Sequence, residues 1–157
     1  DGTIKKVVPT QTGVGALLPF IDAGDDVARG KYATATSVRS GTYAPEYALD
    51  HNNASKWRAA DNTYPQSLTV DLNGTFDITR IETSFEYPTL AYKYAIDTSP
   101  DGKTWTSYVD KTSAFPVTVS PHKDSGKAKA AFVRITLSGC ERPENGAGIY
   151  SFEVYRK

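Results

Sequence analysis

Apolar and polar residues alternate along most of this chain, in short runs rich in Val, Ile, Thr, Tyr and Phe. Gly, Pro, Asn and Asp separate the runs. A period of two marks strands with one buried face. The pattern predicts strands at Ala33–Val38, Ser67–Leu72, Ile78–Phe85, Tyr94–Ser99, Trp105–Val109, Val117–Val119, Ala131–Leu137 and Phe152–Arg156. Asn73-Gly74 and Ser99-Pro100-Asp101-Gly102 supply turn chemistry between them, and the proline of the second suits a type I turn. A single turn at Pro45–Leu49, with proline near its start, is the only helix candidate. About eight short antiparallel strands of this kind read as an all-β sandwich or jelly roll.

The first residues break the pattern. Between Gly2 and Gly30 glycines and prolines recur and the apolar residues keep neither period. Residues 1–27 are read as a linker or extension from an upstream domain, and 28–157 as the domain proper. Lys123–Lys129, interrupted by serine and glycine, reads as a solvated loop. A length of 157 residues suits one domain with a sizeable core. The 18 basic and 18 acidic residues cancel, leaving no electrostatic footprint for nucleic acid or an anionic membrane. No apolar stretch approaches the roughly 20 residues of a membrane span. Asp1-Gly2-Thr3-Ile4-Lys5-Lys6 has no hydrophobic region behind its charges, so the chain reads as a mature product or an excised fragment.

Candidate chemistry concentrates in Ala48-Leu49-Asp50-His51-Asn52-Asn53-Ala54-Ser55-Lys56-Trp57. Oxygen donors at close, irregular spacing suit a hard cation such as calcium, and the same residues suit an ordinary polar turn. The EF-hand pattern is missing. His51 and His122 fall in predicted loops without a histidine partner, which argues against zinc. No G-x-S-x-G elbow or phosphate-cradling glycine motif occurs. The single cysteine, Cys140, forbids an intrachain disulfide and reads as a small buried hydrophobe. These absences favour a binding module over an enzyme. Ten tyrosines and two tryptophans supply rings for a core and for ligand contacts.

The order of pieces resembles a known family. Ala33-Thr34-Ala35-Thr36-Ser37 precedes Ala48-Leu49-Asp50 and Trp57; then follow Leu68-Thr69-Val70-Asp71-Leu72-Asn73, Tyr94 to Trp105, Phe132-Val133-Arg134-Ile135 and Ile149 to Val154. Over about Val27 to Lys157 the chain resembles the discoidin fold, or factor V/VIII C-type domain, and within it the bacterial family 32 carbohydrate-binding modules. The resemblance implies a discoidin-like jelly-roll sandwich with a structural calcium ion. Its ligands would be side-chain oxygens of Asp50, Asn52, Ser55 and Glu153, assisted by carbonyls of Tyr47 and Phe152. Such a set would pin an early loop to the last strand. Trp57 would be a core anchor.

The resemblance also implies sugar binding by loops at one end of the sandwich. Candidate residues there are Tyr43, Asn62, Tyr64, Glu86, Tyr87, Tyr92, Arg142 and Asn145, with Glu144 beside them. Rings would meet the C–H face of a pyranose while polar groups read hydroxyls. Galactose-binding members tend to carry a basic residue after the strand that here reads Ile81 to Pro88; none stands there, so that specificity is not carried over. Asp1 to Thr10 with Gly13-Val14 resembles the closing strand of a family 43 glycoside hydrolase. Together these features imply a secreted, monomeric, non-catalytic module of bacterial origin, extracellular, periplasmic or on the cell surface. Its partners would be an oligo- or polysaccharide and an upstream catalytic domain, with no nucleic acid and no membrane. The alternative is a membrane- or protein-binding discoidin domain without a sugar ligand.

Overall fold

A computed structural model describes residues 26–117 and 119–157. The segment resembling a glycosidase's closing strand lies outside the described residues. Seven strands form among them: β1 Tyr32–Ala35, β2 Trp57–Arg58, β3 Gln66–Phe85, β4 Tyr92–Ser99, β5 Thr106–Lys111, β6 His122–Cys140 and β7 Gly148–Arg156. All their pairings are antiparallel.

β3 and β6 frame the domain. They run side by side from Gln66 opposite Leu137 to Thr83 opposite His122, with register shifts after Asp71 and after Ile78. Before the bend β1 joins β3, while β4 joins β6 and β5 joins β4. Beyond it β7 joins β3, and β2 joins β7. One continuous ladder therefore doubles back into two layers, the expected jelly-roll sandwich. Aromatic rings close it: Phe85 of one layer stacks on Tyr92 of the other at 4.6 Å between centroids. Leu68, Val70, Ile81, Tyr94, Ile96, Val133, Ile135, Leu137, Phe152 and Val154 fill the interior without solvent exposure.

Three sequence expectations need correction. Asn73-Gly74 does not separate two strands; it forms the corner inside β3. Asn73 adopts φ 54° and Gly74 φ 154°, and the Asp71 carboxylate accepts the Asn73 N–H at 2.8 Å. The turn residues make a bend because β6 accompanies both halves of β3, which never pair with each other. Lys123–Lys129 is strand, with Lys123, Lys127 and Lys129 on the solvent side and Asp124 buried. Val117 and Val119, expected in a strand, belong to none and stand exposed in the β5–β6 loop. Pro116 and Pro121 flank them and cannot donate to a ladder.

Smaller shifts follow from packing. The expected helical turn is the short 3-10 turn Pro45–Ala48, preceded by another at Gly41–Tyr43. Trp57 is completely buried, its indole N–H donating to the Ser37 carbonyl at 3.0 Å, so it anchors the core as expected. Asp26 and Val27, read as extension, join β7 through the Asp26–Tyr155 bridge and the Val27 N–H to Val154 carbonyl bond. Because β3 doubles back, its start at Gln66 and its end at Phe85 lie at one end of the sandwich. The loops at 59–65, 86–91, 112–121 and 141–147 all leave from that end.

Candidate functional site

Two of these loops are stitched together. The Asn62 amide donates to the Glu144 carbonyl, and the Tyr64 hydroxyl donates to the Asn145 carbonyl at 2.8 Å. Backbone bonds from Ala59 to Ala147 and from Glu86 to Gly148 add to the seam. Burial raises the Tyr64 pKa, as expected for a hydroxyl committed to the protein. Of the predicted sugar-site residues, Asn62, Tyr64 and Asn145 are thus brought together through bonds between loops. Arg142 is exposed near this seam, its carbonyl accepting the Asn145 N–H. Tyr87 packs half-buried against the core. Tyr92 is corrected: its fully buried ring stacks on Phe85 and presents no face to a ligand.

A second group has a different character. Trp57 points inward, so its neighbours Lys56 and Arg58 emerge on the outer side of β2. Between them lies Glu86, whose side chain is only 3% exposed. Lys56 Nζ contacts Glu86 Oε1 at 2.9 Å, and Arg58 approaches the same oxygen at 3.4 Å. Arg58 stands opposite Gly148 in register. A Cβ at residue 148 would meet Glu86 Oε2 at 2.8 Å, so glycine there makes room for the carboxylate. Glu86 Oε2 is buried without a hydrogen-bond partner. Lys56 also donates to the Tyr150 hydroxyl at 3.3 Å and lies 4.8 Å from that ring's centroid and 5.9 Å from that of half-buried Tyr43. Burial opposes its charge, but the bonds to Glu86 and Tyr150 outweigh that and raise its pKa.

Tyr150 is also one wall of a cavity of about 210 Å³ lined by Asn53, Ser84, Phe85, Pro88 and Ser120. A larger cavity of about 620 Å³ lies at the opposite end, beside Asp77, Lys129 and Lys157. Its one ion pair, Lys129–Asp77, is well over half exposed on both sides, so that trough lacks a fixed polar group. The smaller cavity adjoins the fixed charges and is the better candidate. Lys56, Arg58 and Tyr150 were not among the expected residues. The signal for the first two was present: residues flanking a buried strand tryptophan must face outward.

The predicted cation loop is knitted by its own oxygens. Asp50 accepts the Asn52 N–H at 2.9 Å and the Ser55 hydroxyl at 2.6 Å, and the Asn52 side chain accepts the Ala54 N–H at 2.9 Å. Tyr47 sits in the adjoining 3-10 turn, and Phe152 is core. His51, between Asp50 and Asn52 in sequence, adopts φ 58°. Its Nε2 meets the fully buried Asp26 carboxylate at 2.6 Å and lies 3.5 Å from Glu153. Asp26, His51 and Glu153 each offer one ligand atom within 4.8 Å of the others. The terminal strand's carboxylate therefore does lie against the loop, through His51. The donors of the loop are oxygens, which suits calcium, though an ion would have to displace the bonds that Asp50 and Ser55 make to each other.

Comparison with known proteins bears on this arrangement. The F5/8 type C domain model matches residues 32–153. No curated protein sequence matched. Among solved structures, chitosan-binding module 1 from a chitosanase/glucanase of Paenibacillus sp. IK-5 superposes with TM-score 0.73 at 25% identity, covering 83% of this chain and 98% of its own. Module 2 of that enzyme, in complex with chitotriose, gives 0.72 at 25% identity over 83% and 99%. CpGH89CBM32-4 of Clostridium perfringens, in complex with GlcNAc-alpha-1,4-galactose, gives 0.72 at 17% identity over 82% and 92%, a likeness of fold. With its model matched over most of the chain, this protein belongs to the F5/8 type C domain family.

Proposed function

We propose that this domain is a non-catalytic carbohydrate-binding module that holds an attached, secreted glycosidase against its polysaccharide. The observation that carries the reading is the Lys56–Glu86–Arg58 group beside the Tyr150 cavity, at the loop end of a fold shared with sugar-binding modules. It combines an aromatic surface with a few fixed polar groups, which is what a sugar site needs. Weak binding at one site suffices, because tethering raises the effective concentration of the enzyme at the polymer. Tyr43, Asn62, Tyr64, Glu86, Tyr87, Arg142 and Asn145 shape the surrounding loops.

Affinity electrophoresis and calorimetry against arabinan, xylan, galactan, pectins, chitosan and host glycans test this. Retardation by at least one polymer is expected; silence across all of them overturns the reading. Phe115, Val117 and Val119 are exposed on the β5–β6 loop at the same end, the feature that a lipid- or protein-docking domain would use. Binding to lipid vesicles with no response to any sugar would replace the sugar reading by that one.

Calcium is proposed as a structural ion held by Asp50, Ser55, Asn52 and Glu153 with carbonyls of Tyr47 and Phe152. Oxygen-rich donors and the closeness of Glu153 to His51 support it. Calorimetric titration with calcium and thermal melts with and without chelator provide the check, since a native-state ligand raises the midpoint by mass action. A midpoint indifferent to calcium, with no heat of binding, rejects the ion.

A further inference from the structure

Resting on the sugar-binding reading of this site, we propose that its ligand is an acidic carbohydrate, whose carboxylate or sulfate group is read by the Arg58 guanidinium. Arg58 is 22% exposed, so its head sits in a recess rather than in open solvent. Its single charged contact is the 3.4 Å approach to Glu86, and it makes no side-chain hydrogen bond among the described residues. A guanidinium offers five donors in a planar fork, and none of its nitrogens here is both buried and unpaired, so they remain open to an incoming ligand. Such a fork matches the two oxygens of a carboxylate or sulfate.

Charge points the same way. Glu86 is the only buried acid of the strip, and one of its oxygens already receives Lys56. Two cations against one carboxylate leave a net positive recess. Arg39, whose N–H bonds to the Arg58 carbonyl at 2.9 Å, adds an exposed cation to that edge. A ligand anion meets the unused donors of Arg58, while the unpartnered Glu86 Oε2 can accept a hydroxyl of the same sugar. The domain should therefore differ in preference from its chitosan-binding neighbours, because chitosan is a polymer of amino sugars. Tyr150, capped on one side by Lys56, would carry the adjoining ring of the polymer on the cavity side.

The test is affinity electrophoresis and calorimetry with polygalacturonate, its fully methyl-esterified form, chondroitin sulfate, unsulfated chondroitin, chitosan and neutral xylan. Binding to an acidic polymer is expected, with at least a tenfold loss when the acid is masked, the scale of a charge-assisted hydrogen bond. Polygalacturonate as the tighter ligand assigns the carboxylate, and loss on removing sulfate assigns the sulfate. Arg58→Gln should weaken acid binding about tenfold, and Arg58→Lys should recover only part of it, since the charge returns without the fork. Both variants should melt within about 4 °C of the parent, because Lys56 still pairs with Glu86 and loss of the longer Arg58 contact costs about 1 kcal/mol or less. Equal affinity for acidic and neutral polymers, or preference for chitosan, overturns the acid assignment while the sugar-binding reading stands. Silence toward every polymer overturns both.

Discussion

Two buried carboxylates in this domain each hold a lysine, and only one of them is finished. Asp124, on β6, is 3% exposed and receives Lys111 Nζ at 2.6 Å on one oxygen and the Tyr94 hydroxyl at 2.8 Å on the other. Lys111 in turn reaches the Tyr94 hydroxyl at 3.2 Å, closing a triangle. Glu86 is equally buried and receives Lys56 on one oxygen, while the other has no partner. A buried polar atom without a partner carries the full cost of desolvation, so a fold tolerates it chiefly where a water or ligand completes it. The closed triangle ties β4, β5 and β6 together across the sandwich. The open group sits at the loop end beside a cavity and an unbonded guanidinium. The first serves the architecture; the second is the group proposed for recognition.

The largest effect should come from breaking the closed cluster. Asp124→Ala leaves Lys111 and Tyr94 facing a hole, and removing one partner of a buried ion pair costs about 3 kcal/mol or more. Because Lys111 is about a third exposed, it can turn partly to solvent, so the lower end of that range is expected. Chemical denaturation should show the loss, while sugar affinity measured below the melt stays at the parent value. A binding defect as large as the stability defect would dissolve the distinction drawn between the clusters. Tyr94→Phe is a milder version. It removes one bond to a charged acceptor, about 1.5 kcal/mol or somewhat more, and it too should leave binding unmoved.

Glu86→Gln probes the open cluster. It keeps the shape and one acceptor for Lys56, so the cost in stability should be about 1 kcal/mol, smaller than at Asp124. Binding should respond instead: removing the only buried acid makes the recess more positive and should raise affinity for an acidic polymer a few-fold. A fall in that affinity, with the fold intact, would mean that Glu86 serves mainly to aim its two cations. Either result separates it from Asp124, whose variant should not alter binding at all.

Both clusters were hidden from the sequence for the same reason, although the sandwich around them was legible. Alternation exposed most strands because one face of each is buried, and the family resemblance brought the Ala48 to Trp57 loop toward Glu153 on the last strand. Alternation cannot say which partner a strand takes. Asn73-Gly74 and Ser125-Gly126 look like loop residues, yet they lie in β3 and β6, each continued by pairing with the other. Asp124 therefore read as part of a solvated loop when it is a core residue of β6. Tyr92 looked like a loop tyrosine because β4 begins two residues earlier than its apolar run suggests. Lys56 and Arg58 could have been placed outward from Trp57 alone. Their convergence on Glu86 depends on Gly148 lying opposite Arg58, a long-range register that no local pattern encodes.

The smallest effect probes the neighbourhood of the closed cluster through pH. His122 begins β6, only 3% exposed, its ring edge-on to Phe85 at 5.2 Å and to Tyr94 at 5.6 Å. Burial lowers its pKa, Lys111 lowers it further, and the Asp124 charge only partly offsets them. The folded protein thus resists a proton that the unfolded chain accepts near the ordinary 6.5. Stability should be insensitive to this group above that pH and fall as the pH drops through it, because the unfolded state then binds more protons. Asp61, Asp101 and Asp110 act in the same direction but in a more acid window: hydrogen bonds from Thr63, Thr104 and Thr112 hold them below 3.8, so the stability they contribute is lost only as the pH falls below that value. Thermal melts from about pH 8 to about pH 5 keep the carboxylates ionised over most of that span, and comparison of parent and variant isolates His122 from His51. His122→Phe keeps an aromatic ring against Phe85 and Tyr94 and should flatten the acid slope relative to the parent. An unchanged slope would show that Asp124 shields His122 more completely than burial and Lys111 oppose it, and that the closed triangle sets the charge state around it.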